Sequence, residues 1–219
     1  MGLLDRLSSR RTERHEPAEA AASRVEEPVF STKALRKFLS AVSSKPDPVL
    51  LDLSPVVGSN LTFFGEHLGC RVLVDDVFQE IERHVRQEQV DDLPAFLSSR
   101  FPQEPESFDG ILCWDVMDYL DKNAAQALAT QLMRILKPEG ALFALFGTVP
   151  PTDSHYTRYI IVDDATMKTR PYPAARARQS ALNNRQILNL FEPLRVSDSF
   201  LLQSHLREIL FRKAAADPR

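Results

Sequence analysis

The chain has few glycines, two cysteines, one tryptophan and no marked excess of either charge: seven Gly, Cys70 and Cys113, Trp114, and a net charge of −3 over 219 residues. Each scarcity excludes something. Both cysteines lie beside apolar, strand-like runs, which fits buried thiols better than a disulfide framework or a metal site and gives the expectation of a reducing cytoplasm. A charge of −3 gives no electrostatic case for nucleic acid or an anionic membrane. No apolar run approaches the roughly 18 residues of a spanning helix, and no signal-peptide core follows the start. Met1-Gly2 opens like a myristoylation signal, but Arg6 stands where that motif needs Ser or Thr.

Residues 8–26, SSRRTERHEPAEAAASRVE, are polar, mixed in charge and nearly free of large apolar groups. Such a segment cannot bury enough surface to offset its ordering entropy, so 1–30 reads as a disordered lead to a single domain over 31–219. Gly2 to Leu7 could form one amphipathic turn at its start.

From Ser31 the pattern becomes regular. Ser31 or Thr32 can cap a helix with Leu35, Phe38, Leu39 and Val42 on one face. Val49-Leu50-Leu51-Asp52-Leu53 is an apolar run broken by one acid, the pattern of a central parallel strand covered on both faces. Ser59 or Asn60 can cap a helix carrying Leu61, Phe64 and Leu68 and ending near Gly69. Arg71–Val74 follows as a strand closing on Asp75-Asp76, and a βαβ unit this compact implies a parallel sheet. Helices are expected around Phe78, Ile81 and Val85, around Leu93, Phe96 and Leu97, and from Asn123 to Leu136. Strands are expected at Phe108–Trp114 and Ala141–Gly147, the latter after a Lys137-Pro138-Glu139-Gly140 stop. Asn184–Phe191 reads as helix and Leu194–Leu202 with Leu206–Phe211 as an antiparallel pair. The fold class is therefore α/β: doubly wound, a mostly parallel sheet flanked by helices, closed by an antiparallel C-terminal strand.

The stretch from Asp52 to Asn60, DLSPVVGSN, joins the first strand of that sheet to its helix. A pyrophosphate needs close backbone approach at such a loop, and the Gly-x-Gly-x-x-Gly spacing is absent, which argues against a dinucleotide.

The order of elements from Val49 to Lys213 resembles a class I S-adenosylmethionine-dependent methyltransferase, a Rossmann-like fold. Four segments carry the resemblance. Asp52 to Gly58 falls on the family's first loop, usually Asp-x-Gly-x-Gly-x-Gly; Asp75-Asp76 falls on the acid that ends its second strand. Phe108-Asp109 through Leu120 fits the fourth-strand pattern, and Leu136-Lys137-Pro138-Glu139-Gly140 fits the turn before the fifth strand. The resemblance implies S-adenosylmethionine as cofactor, no metal, and Asp52, Ser54, Gly58, Asp75, Asp76, Trp114 and Asp115 around it, Asp75 or Asp76 taking the ribose hydroxyls. The departures are specific. Ser54 and Val56 stand on two of the family's glycines, where a Cβ hinders positive φ and close approach, and Pro55 removes a backbone donor. The third strand, expected between Val85 and Phe108, is not visible.

Several residues have two readings. Either acid of Asp75-Asp76 could instead cap the next helix. Trp114 could pack against the cofactor or serve as a wedge between sheet and helix, and Tyr119, in Asp118-Tyr119, could line an acceptor pocket or be a half-buried helix tyrosine. The segment 148–180 interrupts the rhythm as an insertion, with a strand or hairpin at His155–Asp164. His155 in it is a general base or solvated surface, and Arg170, Arg176 and Arg178 bind an acidic acceptor or sit on a surface loop. Two functions follow: a methyltransferase of unknown acceptor, small molecule or protein, or a catalytically degenerate member of the fold kept as an interaction or scaffolding module.

Overall fold

The computed structural model describes residues 27–149, 154–179 and 181–216. The expectations for residues 1–26, including the amphipathic turn, lie outside them.

Six strands form the main sheet in the order β3-β2-β4-β5-β9-β8: β2 is Val49–Asp52, β3 Arg71–Val74, β4 Phe108–Trp114, β5 Leu136–Gly147, β8 Arg195–Leu201 and β9 Leu206–Arg212. Strands β3, β2, β4 and β5 are parallel, whereas β9 runs antiparallel to both β5 and β8. Side chains alternate between two cores, as strand geometry requires. Leu50, Leu112 and Phe143 face α1 (Ala34–Ser43) and its Phe38, Leu39 and Val42. Leu51, Ile111, Cys113 and Leu142 face α3 (Val77–Arg86), α4 (Leu93–Ser99), α5 (Lys122–Ile135) and α6 (Asn184–Leu190). Both thiols are free and buried.

The expected elements are present with local differences. Asp76 caps α3 by accepting from the Gln79 amide at 3.1 Å. The helix after β2, α2 (Gly58–Thr62), has no side-chain cap from Ser59 or Asn60 and continues as a π-turn through Phe63–His67 to Gly69 at φ +65°. The stop expected at Lys137–Gly140 is the opening of β5 itself, with Leu136 already paired to Phe108 across an irregular register. Among the described residues no strand lies between α3 and β4, so β3 is left as the edge of the sheet.

A second, three-stranded sheet has the order β1-β7-β6, with β1 Val29–Ser31, β6 His155–Asp163 and β7 Thr166–Pro173. The inserted hairpin expected near His155 is β6–β7. Val29-Phe30, at the end of the expected lead, is instead paired to β7: the backbone of an apolar Val-Phe pair finds its partners at Lys168 and Met167, far along the chain, which no local pattern announces.

Gly110, in β4, lies under side chains of both α1 and β2. A Cβ there would meet Leu50 Cδ2 at 2.6 Å, Val42 Cγ2 at 2.8 Å and Phe38 Cζ at 2.9 Å. Gly110→Ala is expected to destabilise the protein by about 1–3 kcal/mol through overpacking. Urea unfolding followed by far-UV circular dichroism checks this, and an unchanged midpoint would show that α1 can back away freely.

Candidate active-site crevice

The strand order reverses direction between β2 and β4, and in open α/β sheets that reversal opens a crevice at the carboxyl ends of the strands. Five of the seven residues the resemblance points to lie at those ends. Asp52 ends β2 and is 2% exposed; one carboxylate oxygen accepts the Ser54 amide at 3.0 Å and Trp114 Nε1–H at 2.7 Å, a bond that spans the switch point. Burial pushes its pKa up, and those two hydrogen bonds act against the shift. Trp114 ends β4 at φ +49°, a left-handed conformation uncommon for a bulky residue, and its indole is fully buried. Asp115 follows, also fully buried.

The remaining acids are engaged differently. Asp75, after β3, is ion-paired to Arg100, which follows α4, with Nε 2.8 Å from Oδ1. Asp76 is occupied as the cap of α3, and burial raises its pKa. Gly58 opens α2 and is exposed, whereas Ser54 is buried. The arrangement thus gathers Asp52, Ser54, Trp114 and Asp115 tightly, holds Asp75 through Arg100, and leaves Asp76 and Gly58 at its margin.

What fills the crevice comes from the insertion. The Tyr159 ring, from β6, lies parallel to the Trp114 indole, with centroids 5.3 Å apart and planes 4° apart. Its hydroxyl donates to Asp115 Oδ2 at 3.0 Å, and the same oxygen accepts Nη2–H of Arg178. The hairpin is pinned by Asn60 of α2, whose amide group donates to the Tyr159 carbonyl at 2.8 Å and accepts from the Ile161 amide at 2.9 Å. The side chain that the sequence offers as a helix cap therefore reaches 99 residues along the chain instead.

A second buried carboxylate lies beside the first. Asp118, on the short turn Val116–Tyr119, is 3% exposed; Oδ2 accepts the Gly147 amide at 2.7 Å and lies 3.9 Å from Arg178 Nη1. Burial, opposed by Arg178 and reinforced by the Asp115 charge, pushes its pKa up to about 7. Two acids therefore share one guanidinium, and Asp115 Oδ1 and Asp118 Oδ1 are buried with no hydrogen-bond partner among the described residues. Tyr119 is fully buried rather than half-buried, donating its hydroxyl to the His155 carbonyl at 2.7 Å. The His155 ring makes no hydrogen bond among the described residues, and Arg170 pairs with Glu27 on the surface. Sequence reasoning offers Arg178 as a binder of an acidic acceptor or a surface-loop residue, not as the partner of Asp115, and does not single out Tyr159 or Asn60 as site residues. The one available signal is the aromatic-rich run His155–Ile161 directly after β5.

No group of three or more His, Cys, Asp or Glu among the described residues is arranged to hold a metal ion, and no helix among them is long and apolar enough to cross a membrane. No protein-family model and no curated protein matches the chain. Solved structures do match in fold. A Burkholderia thailandensis 1,6-didemethyltoxoflavin-N1-methyltransferase, solved with 1,6-didemethyltoxoflavin and S-adenosylhomocysteine bound, superposes with a TM-score of 0.50 at 16% identity, over 83% of this chain and 77% of that one. An S-adenosylmethionine-dependent methyltransferase from Mesorhizobium loti gives 0.50 at 14% identity, over 82% and 96%. The cyclase SpnF gives 0.51 at 10% identity, over 84% and 81%. These likenesses, with the sheet order and the reversed C-terminal strand, establish that the chain has the class I methyltransferase fold.

Proposed function

We propose that the protein is an S-adenosylmethionine-dependent methyltransferase acting on a small-molecule or protein acceptor. The observation that carries this reading is the Asp52–Trp114 bond across the topological switch point, with Asp115 next to it and Asp75 at the end of the neighbouring strand. Acids at those positions suit a cofactor with a ribose diol and a cationic end, and the indole suits its adenine. The donor types fit. The space does not while the insertion is docked, because Tyr159 lies on Trp114 and Arg178 on Asp115; Arg100, after α4, occupies Asp75 independently of the insertion. The cofactor, when bound, supplies an activated sulfonium methyl; the chain's part is to hold an acceptor in line with it.

A second reading has its own support. Ser54, Pro55 and Val56 replace the flexible first loop and Arg100 occupies the ribose acid, as in a degenerate member kept for interactions. SpnF, a cyclase on the same fold, illustrates that the fold leaves the chemistry open.

Titration calorimetry with S-adenosylmethionine and S-adenosylhomocysteine separates the two. The methyltransferase reading expects saturable binding, and Asp75→Ala should weaken it by about 1–3 kcal/mol through loss of a charge-assisted hydrogen-bond pair. Absence of heat at millimolar ligand would overturn the reading; binding indifferent to Asp75→Ala would remove only the ribose assignment.

A further inference from the structure

We infer that Tyr159 and Arg178 form a displaceable internal plug, holding the place of a ligand that carries a flat ring and a positively charged group. The plug itself rests on contacts within the chain; only the choice of S-adenosylmethionine as its competitor rests on the methyltransferase reading.

Three observations lead there. The Tyr159 ring is stacked on Trp114 in the parallel geometry of a bound aromatic ligand, whereas the neighbouring aromatic contacts of Trp114 with Phe143 and of Tyr159 with Phe30 are edge-on at 81° and 84°. The Arg178 cation sits on a fully buried acid, in a segment of irregular backbone between β7 and α6, so it can leave without breaking a sheet bond. Finally, the plug satisfies the site incompletely. Asp115 Oδ1 and Asp118 Oδ1 remain buried without a donor among the described residues, and a structure built only to be closed should not strand two carboxylate oxygens. A ligand with an ammonium group brings three N–H donors to the same two acids. The plug is also sensitive to small changes: a Cβ on Gly147 would lie 2.8 Å from Arg178 Nη1.

A ligand that replaces ring with ring and cation with cation needs no new charge in the crevice, because the acids already balance one positive group. A neutral aromatic compound could displace Tyr159 but would leave Arg178 in place.

Trp114 is the chain's one tryptophan, so its fluorescence reports the crevice alone. Acrylamide should quench it poorly in the wild type. Quenching should rise several-fold in Arg178→Gln, Tyr159→Ala and Gly147→Ala, and stay near wild type in Arg178→Lys, with far-UV circular dichroism confirming that each variant is folded. In calorimetry, Arg178→Gln should bind S-adenosylmethionine at least tenfold more tightly than wild type, and 5′-methylthioadenosine, which has the ring without the cation, with little change. Trp114 equally shielded in all the folded variants overturns the plug, as does measurable S-adenosylmethionine binding that is as tight in the wild type as in Arg178→Gln. Increased quenching with no binding of S-adenosylmethionine in any variant supports the plug and overturns the cofactor reading.

Discussion

Trp114→Ala is expected to lower stability by about 3–5 kcal/mol, the largest effect of any single change in the crevice. The indole is fully buried between Phe143, 5.8 Å away edge-on, and the parallel Tyr159 ring. Removing it leaves a cavity that β2 and β4, fixed by the sheet ladder, cannot collapse to fill. It also strips the Nε1–H donor from Asp52, leaving a 2%-exposed carboxylate with the Ser54 amide as its principal donor. Losing one donor to a buried charged group costs about 1–3 kcal/mol by itself. Trp114→Phe separates the two contributions, since it keeps most of the ring and loses only the N–H. The two variants are compared by urea unfolding followed by far-UV circular dichroism. A loss below about 1 kcal/mol in Trp114→Ala would mean that the crevice is not packed shut. Equal losses in both variants would assign the effect to the Asp52 bond and none to the stack.

Asp118→Asn is expected to change the pH dependence of stability. The carboxyl is held up to about 7 in the folded protein, against 3.8 for an ordinary aspartate. Arg178, Asp115, Tyr119 and the Gly147 amide are the charged, titratable and polar groups around it. The sign follows from proton counting. Between about pH 4 and pH 7 the folded state keeps the Asp118 proton and the unfolded state does not, so stability falls as pH rises through that window and is level above it. A displacement of that size is worth about 4 kcal/mol as an upper figure. Asparagine keeps an acceptor for the Gly147 amide and cannot ionise, so Asp118→Asn should gain on the wild type from about pH 5 to pH 8 by up to that amount. Urea midpoints at intervals across that range test it. A wild type as stable at the alkaline end as at the acid end, or a variant with the same slope, would show that Asp118 ionises freely in the folded protein.

Both effects arise from the same physical choice, the burial of acids at the carboxyl ends of β2 and β4 under a hairpin that is not part of the main sheet. Asp115 and Asp118 have a single guanidinium between them, and the orphaned oxygens mark where the closed arrangement falls short. Pairing Arg178 with Asp115 makes closure favourable, yet a second buried acid keeps it from being complete.

The local code is sufficient for the framework. Apolar runs each broken by a single acid, at Val49–Leu53 and Phe108–Trp114, specify strands buried on both faces, and helical spacing at Leu35, Phe38, Leu39 and Val42 specifies α1, because those periodicities have few alternative ways to bury their side chains. The same reasoning finds the reversed C-terminal strand, the hairpin after β5 and the missing third strand. It also locates Asp52, Trp114 and Asp115, since position at a strand's end follows from the strand itself.

Tertiary structure alone decided what those residues touch. Tyr159 meets Trp114 across 45 positions, Arg178 meets Asp115 across 63 and Asn60 meets Ile161 across 101. Hydrophobic burial drives such segments together without direction, and the choice among inward-facing partners is made by shape and hydrogen-bond geometry. The sequence by itself determined a methyltransferase-like sheet with acids at its switch point. Only the packing of the inserted hairpin determined that those acids are covered by the chain's own tyrosine and arginine, because a side chain's distant partner has no periodicity to read.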